Sequence, residues 1–154
     1  MIEQVEEIET IVIRSFNERD LKKVVDIDAA SSHRKRPEYF RSVFERTQQS
    51  PMQVSLVAEV DAVVTGFVLA SLFYGEYGIA EPTASIDAVG VAPAGRRHGV
   101  GHALMRQLLS NLKALGVTTL RTEVAWTDLA LLGFFRSEGF APAPRLCLEL
   151  KVAN

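Results

Sequence analysis

A β-type run that ends in a glycine-rich turn and reopens as a long amphipathic helix constrains this chain more than any other feature. Residues 85–91, Ser-Ile-Asp-Ala-Val-Gly-Val, read as a strand closed by Pro93 and Gly95. From residue 99 to residue 115, Val100, Leu104, Leu108, Leu112 and Leu115 recur at spacings of three and four, the period of one helical face. Gly116 stands where a C-cap glycine belongs. A second β-type run at residues 118–124 follows directly. Strand, helix, strand in this order is a crossover, and a crossover joins parallel strands.

The rest of the chain must share that sheet. Residues 10–14 read as a short strand, and Asn17 with Asp20 opens a helix whose apolar stripe is Leu21, Val24 and Val25. Pro37 suits the first turn of a second helix with Phe40, Val43 and Phe44 on one face, stopped by Ser50 and Pro51. Residues 54–60 and 64–73 are strands joined closely around Asp61 and Ala62, a hairpin and therefore antiparallel. Asp128 caps a helix running through Leu131, Leu132 and Phe135 to Gly139. Leu146, Leu148, Leu150 and Val152 then alternate with Arg145, Cys147, Glu149 and Lys151 as a last strand. The expected order is βααβββαβαβ: an α/β fold with a mixed, mostly antiparallel sheet flanked by about four helices. No repeat, linker or low-complexity tract interrupts the 154 residues, so one domain over residues 1–154 is expected.

Composition excludes several classes of function. The single Cys147 rules out an internal disulfide framework and a cysteine zinc site. Nineteen acids against seventeen Lys and Arg give a net charge of −2, with no broad footprint for nucleic acid or anionic lipid; neither is an expected partner. Glu3, Glu6, Glu7 and Glu9 occupy a start that a secretory signal would make basic and then apolar, so no export is expected. No apolar run approaches the ~18 residues of a membrane span, and a cytoplasmic protein is the expectation. His33 and His98 have no partner at ligand spacing, so no metal is expected.

The chemistry is concentrated in Val-Ala-Pro-Ala-Gly-Arg-Arg-His-Gly-Val-Gly at residues 91–101. Free N–H groups at a helix start bind phosphate, and Gly99 and Gly101 let the backbone approach it closely. Arg96 and Arg97 add positive charge, and His98, Val100 and His102 complete the candidate binding turn. The bland alternative is a tight turn without a ligand. A P-loop would need Gly-Lys-Ser/Thr, which is absent, and a dinucleotide fingerprint would need Gly or Ala where Leu104 stands.

Arg96-x-x-Gly99-x-Gly101, after a strand ending Val91-x-Pro93, resembles the acetyl-CoA signature of the GNAT acetyltransferases. Asp128-x-x-Leu131-x-x-Phe134-Phe135-x-x-x-Gly139-Phe140 is similar to the family's second motif at the same spacing, and the element order over residues 10–140 is also the family's. The resemblance implies acetyl-CoA as co-substrate, no metal, and direct transfer of an acetyl group to a small-molecule or peptide amine. It implies main-chain contacts to the thioester and pantetheine near Val89, Gly90 and Val91, where a bulge would splay the strand, and a cofactor role for Asp128.

Two residues depart from the family pattern. Phe135 stands where a Tyr commonly protonates the leaving thiolate, and Asp128 replaces an Asn. The missing tyrosine makes a CoA-binding sensor without turnover the alternative reading. For the base that a ~pKa 10 ammonium requires, Asp87 is the first candidate, a carboxylate in an otherwise apolar strand whose bland alternative is a lateral salt bridge. Glu123 on the next strand is the second. Trp126 is expected to pack under the last helix, with Phe134 and Phe135 in the core. Fourteen residues follow Phe140, room for one strand, which leaves the sheet edge open or completed by a second subunit in a homodimer. The first two helices and the Tyr74 to Pro82 loop are expected to wall the acceptor.

Overall fold

The computed structural model describes residues 9–96 and 98–153; Glu3, Glu6, Glu7 and Arg97, singled out above, lie outside the described residues. The chain divides into two compact units, Met1–Glu123 and Val124–Asn154.

The first unit is a five-stranded sheet in sequential order, β1 (Ile11–Ser15), β2 (Gln53–Val60), β3 (Val63–Phe73), β4 (Thr83–Val91) and β5 (Thr119–Thr122). The first four strands are antiparallel neighbours, and β5 joins β4 in parallel through the helix α3 (Val100–Ala114), the expected crossover. The β2–β3 hairpin turns on Asp61 and Ala62, both left-handed at φ 50° and 62°, the twist that a two-residue hairpin needs.

Helices α1 (Leu21–Ser32) and α2 (Pro37–Gln49) cover one face of the sheet. At the start of α1, the Asn17 backbone N–H donates to the Asp20 carboxylate at 2.9 Å, the reciprocal half of the expected capping pair. Burial pushes the Asp20 carboxyl up, but hydrogen bonds from the Arg14 guanidinium and Asn17 more than offset this and hold it below the ordinary carboxylate range. Val24, Val25 and Ile27 of α1 and Phe40 and Val43 of α2 pack on Val57, Phe67 and Leu69. Phe40 meets Phe67 edge to face at 5.5 Å. On the opposite face α3 buries Val100, Leu104, Leu108 and Leu112, the stripe read from the sequence. Gly116, at φ 77°, ends that helix, and the Val117 N–H donates to the Leu112 carbonyl at 3.0 Å.

The second unit holds α4 (Leu129–Ser137). The Asp128 carboxylate accepts the Leu131 N–H at 3.1 Å, so the expected cap forms. Phe135 is 4% exposed and touches Phe134 and Phe140 at ring separations of 5.4 and 4.9 Å.

Two expectations fail in this unit. Residues 145–153 form no strand: period-two alternation in the sequence does not by itself build a ladder. Trp126 is 87% exposed rather than packed. Among the described residues no helix is long and apolar enough to cross a membrane.

Candidate functional site

Strand β4 and the turn after it position the site. On one edge β4 pairs with β3 along its length, from Phe73 opposite Thr83 to Gly66 opposite Val91. On the other edge β5 pairs only from Thr83 to Ile86, ending where Thr122 faces Ile86. At that last rung the Thr122 hydroxyl donates to the Ile86 carbonyl at 3.2 Å. Residues 87–91 therefore have β3 on one edge and no strand on the other among the described residues, which leaves backbone N–H and C=O groups for a ligand.

A bulge marks the same point. Leu69 faces Ala88 and Ala70 faces Ile86, so Asp87 is the extra residue with no opposite number. The bulge expected near Val89, Gly90 and Val91 lies upstream, and those three are in regular register with Val68, Phe67 and Gly66. Gly90 answers to packing: a Cβ there would stand 2.7 Å from the Phe67 ring and 3.1 Å from Ile27.

Asp87 is exposed, which removes the burial cost that made it conspicuous in the sequence. It accepts a hydrogen bond from the Ser71 hydroxyl, across the bulge on β3. The bland alternative of a lateral salt bridge is not formed with any described residue. Tyr39 on α2 feels the same carboxylate: burial raises its phenol pKa, and the Asp87 charge raises it further. Tyr39 is in turn stacked under the Arg36 guanidinium, 4.9 Å from the ring centre, which Asp28 holds in a fork at 2.7 and 3.0 Å.

Reading the sequence missed Ser71 and Tyr39. In the sequence Ser71 shows only as a hydroxyl interrupting the apolar run of β3, and nothing in the local pattern sets Tyr39 apart from an ordinary helix aromatic. Glu123 is exposed and is the first residue past the last β5 rung, as Asp87 is on β4, so both candidate carboxylates leave the ladder at one point.

At the far end of β4 the Ala92 N–H donates to the Thr65 carbonyl at 2.7 Å, and the chain turns through Pro93 and Gly95. The Arg96 Nε donates to the Val91 carbonyl at 3.3 Å, tying the turn to the strand end. Gly99 is the N-cap of α3 at φ 80°, and among the described residues nothing beyond its chain neighbours lies within 4 Å of where a Cβ would sit. Its left-handed backbone is what a side chain would oppose. Val100 is buried against the sheet, whereas Gly101 is half-buried and His102 exposed, at the head of the helix. N–H groups of a first turn have no carbonyl four residues back within the helix and carry the positive end of its dipole. These residues fit a pyrophosphate. His98 is exposed, with its Nδ1 at 3.7 Å from a Glu9 carboxylate oxygen. Among the described residues no cluster of three His, Cys, Asp or Glu side chains could hold a metal.

A groove of about 520 Å³ between the starts of α1 and α2 is lined by Leu21, Val25 and Pro37 together with Lys22, Asp26 and Arg41. No residue of the β4–α3 turn lines it, so it is separate from the candidate cofactor site.

The mixed sheet with its crossover through glycine-capped α3 is an α/β architecture. The sequence model described as "Acetyltransferase (GNAT) family" matches residues 20–140, and the chain belongs to that family. No curated protein sequence matches it. Among solved structures, the aminoglycoside N-acetyltransferase AAC(6')-Iy in complex with CoA superposes with a TM-score of 0.80 at 18% identity, over 94% of this chain and 97% of its own. The aminoglycoside 6'-N-acetyltransferase AAC(6')-Ih from Acinetobacter baumannii gives 0.80 at 17%, over 94% and 100%. A transcriptional regulator from Bacillus halodurans C-125 gives 0.79 at 21%, over 92% and 99%. At these identities the likeness is one of fold.

Proposed function

We propose that this protein is an acetyl-CoA-dependent N-acetyltransferase that moves the acetyl group directly to a primary amine of a small molecule. The observation that carries the reading is the half-open β4, with an open backbone edge after Ile86, a bulged carboxylate at its start and a glycine-capped helix at its end. That the CoA-bound AAC(6')-Iy shares the fold supports CoA as the acetyl carrier.

The first turn of α3 and Arg96 would hold the pyrophosphate of CoA, and the open edge of residues 88–91 would take the pantetheine arm and the thioester carbonyl. The thioester supplies the activated acetyl group. Asp87, fixed by Ser71, would accept the ammonium proton directly or through a water, since only the neutral amine attacks. Phe135 offers no proton, so water protonates the departing thiolate, whose pKa near the ~8.5 of a cysteine thiol needs only modest help at neutral pH.

Phe135, which stands where the family commonly has a proton-donating tyrosine, favours a second reading, CoA binding as a sensor without turnover. Thiol release from acetyl-CoA across a panel of primary amines, alongside calorimetric titration with CoA, separates the two. Turnover with at least one amine is the expected result; micromolar CoA binding without release above the buffer rate supports the sensor, and absence of both overturns the CoA assignment.

A further inference from the structure

The groove between α1 and α2 takes no part in the site described above. Around α2, Pro37 and Arg41 lie one turn apart on the same side, whereas Tyr39, the residue of that helix that feels the Asp87 charge, is about 160–200° around the axis from both. A volume of about 520 Å³ is that of a small-molecule site rather than of a protein footprint.

Its lining has two characters. Leu21 and Val25, one turn apart on α1, belong to the core yet line the groove with Pro37, and Lys22 and Lys35 add their methylene stems to that apolar surface. The charged lining residues are Arg19, Lys22, Lys35 and Arg41 against Glu18 and Asp26, an excess of two positive charges in a chain of net charge −2. Lys22 and Lys35 share the Asp26 carboxylate at 4.0 and 3.7 Å, long contacts between exposed groups that contribute little. Arg19 and Arg41 are within ion-pair distance of no described carboxylate. Helix α2 also opens on Pro37 with no side-chain cap, so the positive end of its dipole adds to the charge of Lys35 and Arg41.

We propose that this groove binds a small amphipathic carboxylate, with its head between Arg41 and Lys35 and its apolar body on Leu21, Val25 and Pro37. A guanidinium takes a carboxylate through two parallel hydrogen bonds, and no described carboxylate engages the Arg41 fork. The apolar lining selects against a purely polar anion, since each methylene buried is worth about fourfold in affinity. The excess positive charge selects against a cation of the same shape.

Octanoate has both features. Titrated into the full chain, it should bind with a dissociation constant of ~0.1–1 mM by calorimetry, with amide NMR shifts confined to residues 18–26 and 35–41. Octylammonium, with the opposite charge on the same chain, and acetate, with the same head and no body, should bind at least about tenfold more weakly. Lys35→Glu with Arg41→Glu should weaken octanoate by about tenfold or more, and Arg41→Gln alone by about threefold. Because both side chains are exposed, the double variant should keep its far-UV spectrum and its CoA titration behaviour. Saturating CoA should leave octanoate bound, because no residue of the β4–α3 turn lines the groove. Failure of octanoate to bind, equal binding of octylammonium, displacement by CoA, or an affinity that survives the double charge reversal overturns the proposal.

Discussion

The two halves of β4 have the same neighbour on one side and different neighbours on the other. Residues 83–86 lie between β3 and β5, with every rung made, and Thr83, Ala84 and Ile86 are buried. Residues 87–91 keep β3 but lose β5, and they carry the bulge, the exposed Asp87 and the approach to the Gly99 turn. One strand is thus paired on both edges for four residues and on one edge for five. The transition is set by the point at which a parallel ladder stops; polar residues fall in both halves, Thr83 and Ser85 in one and Asp87 in the other.

The largest expected effect tests the open half at its far end. Gly99→Glu should abolish CoA binding, because a carboxylate would enter the space before the helix start and repel pyrophosphate. The fold should survive, because no described residue beyond its chain neighbours lies within 4 Å of the new Cβ and the left-handed backbone costs only about 1–2 kcal/mol. Gly99→Asn, which tolerates that backbone, should retain binding. Unchanged calorimetric affinity in the Glu variant would show that the open half does not lead to a cofactor site.

Next comes the boundary itself. Asp87→Asn should lower kcat/KM for the amine by about 10²–10⁴ with CoA affinity retained, the usual worth of a positioned base. A fall of less than tenfold would make Asp87 part of the bulge rather than of the chemistry and would direct the same test to Glu123.

How much of this was legible follows from which features are local. The β4–turn–α3 passage could be read because its signals, period two, then Pro and Gly, then period 3.6, lie within about thirty residues. The position of the bulge could not, because it arises from how β3 and β4 pair, and Gly90 points to it wrongly. Gly90 is glycine because Phe67 and Ile27, remote in sequence, occupy the place of its Cβ. Ser71 and Tyr39 were missed for the same reason: each gains its meaning from Asp87, which the fold brings to it. The alternation at residues 146–152 predicts a strand that does not form, because period-two alternation alone does not build a ladder.

Gly90→Ala sharpens the comparison through stability. The methyl would press on the Phe67 ring, itself wedged edge to face on Phe40, and overpacking of this kind costs about 1–3 kcal/mol. Thermal unfolding should shift down by several degrees. A stable variant would mean that the Phe67 ring has room to turn and that Gly90 is there for its backbone after all.

The smallest effect concerns where the ladder stops. Thr122→Val removes the hydroxyl that bonds the Ile86 carbonyl while keeping the β-branched shape that suits a strand. The net loss of one partly buried hydrogen bond is about 0.5–1.5 kcal/mol, visible as a small fall in melting temperature. Because the bond lies at the last paired rung and residues 88–91 take their register from β3, CoA affinity should change less than threefold. A tenfold loss of affinity with little change in stability would reverse the division drawn here: the open edge would then depend on the Thr122 bond to hold β4 and β5 at the separation a ligand requires, and the closed half would be part of the site.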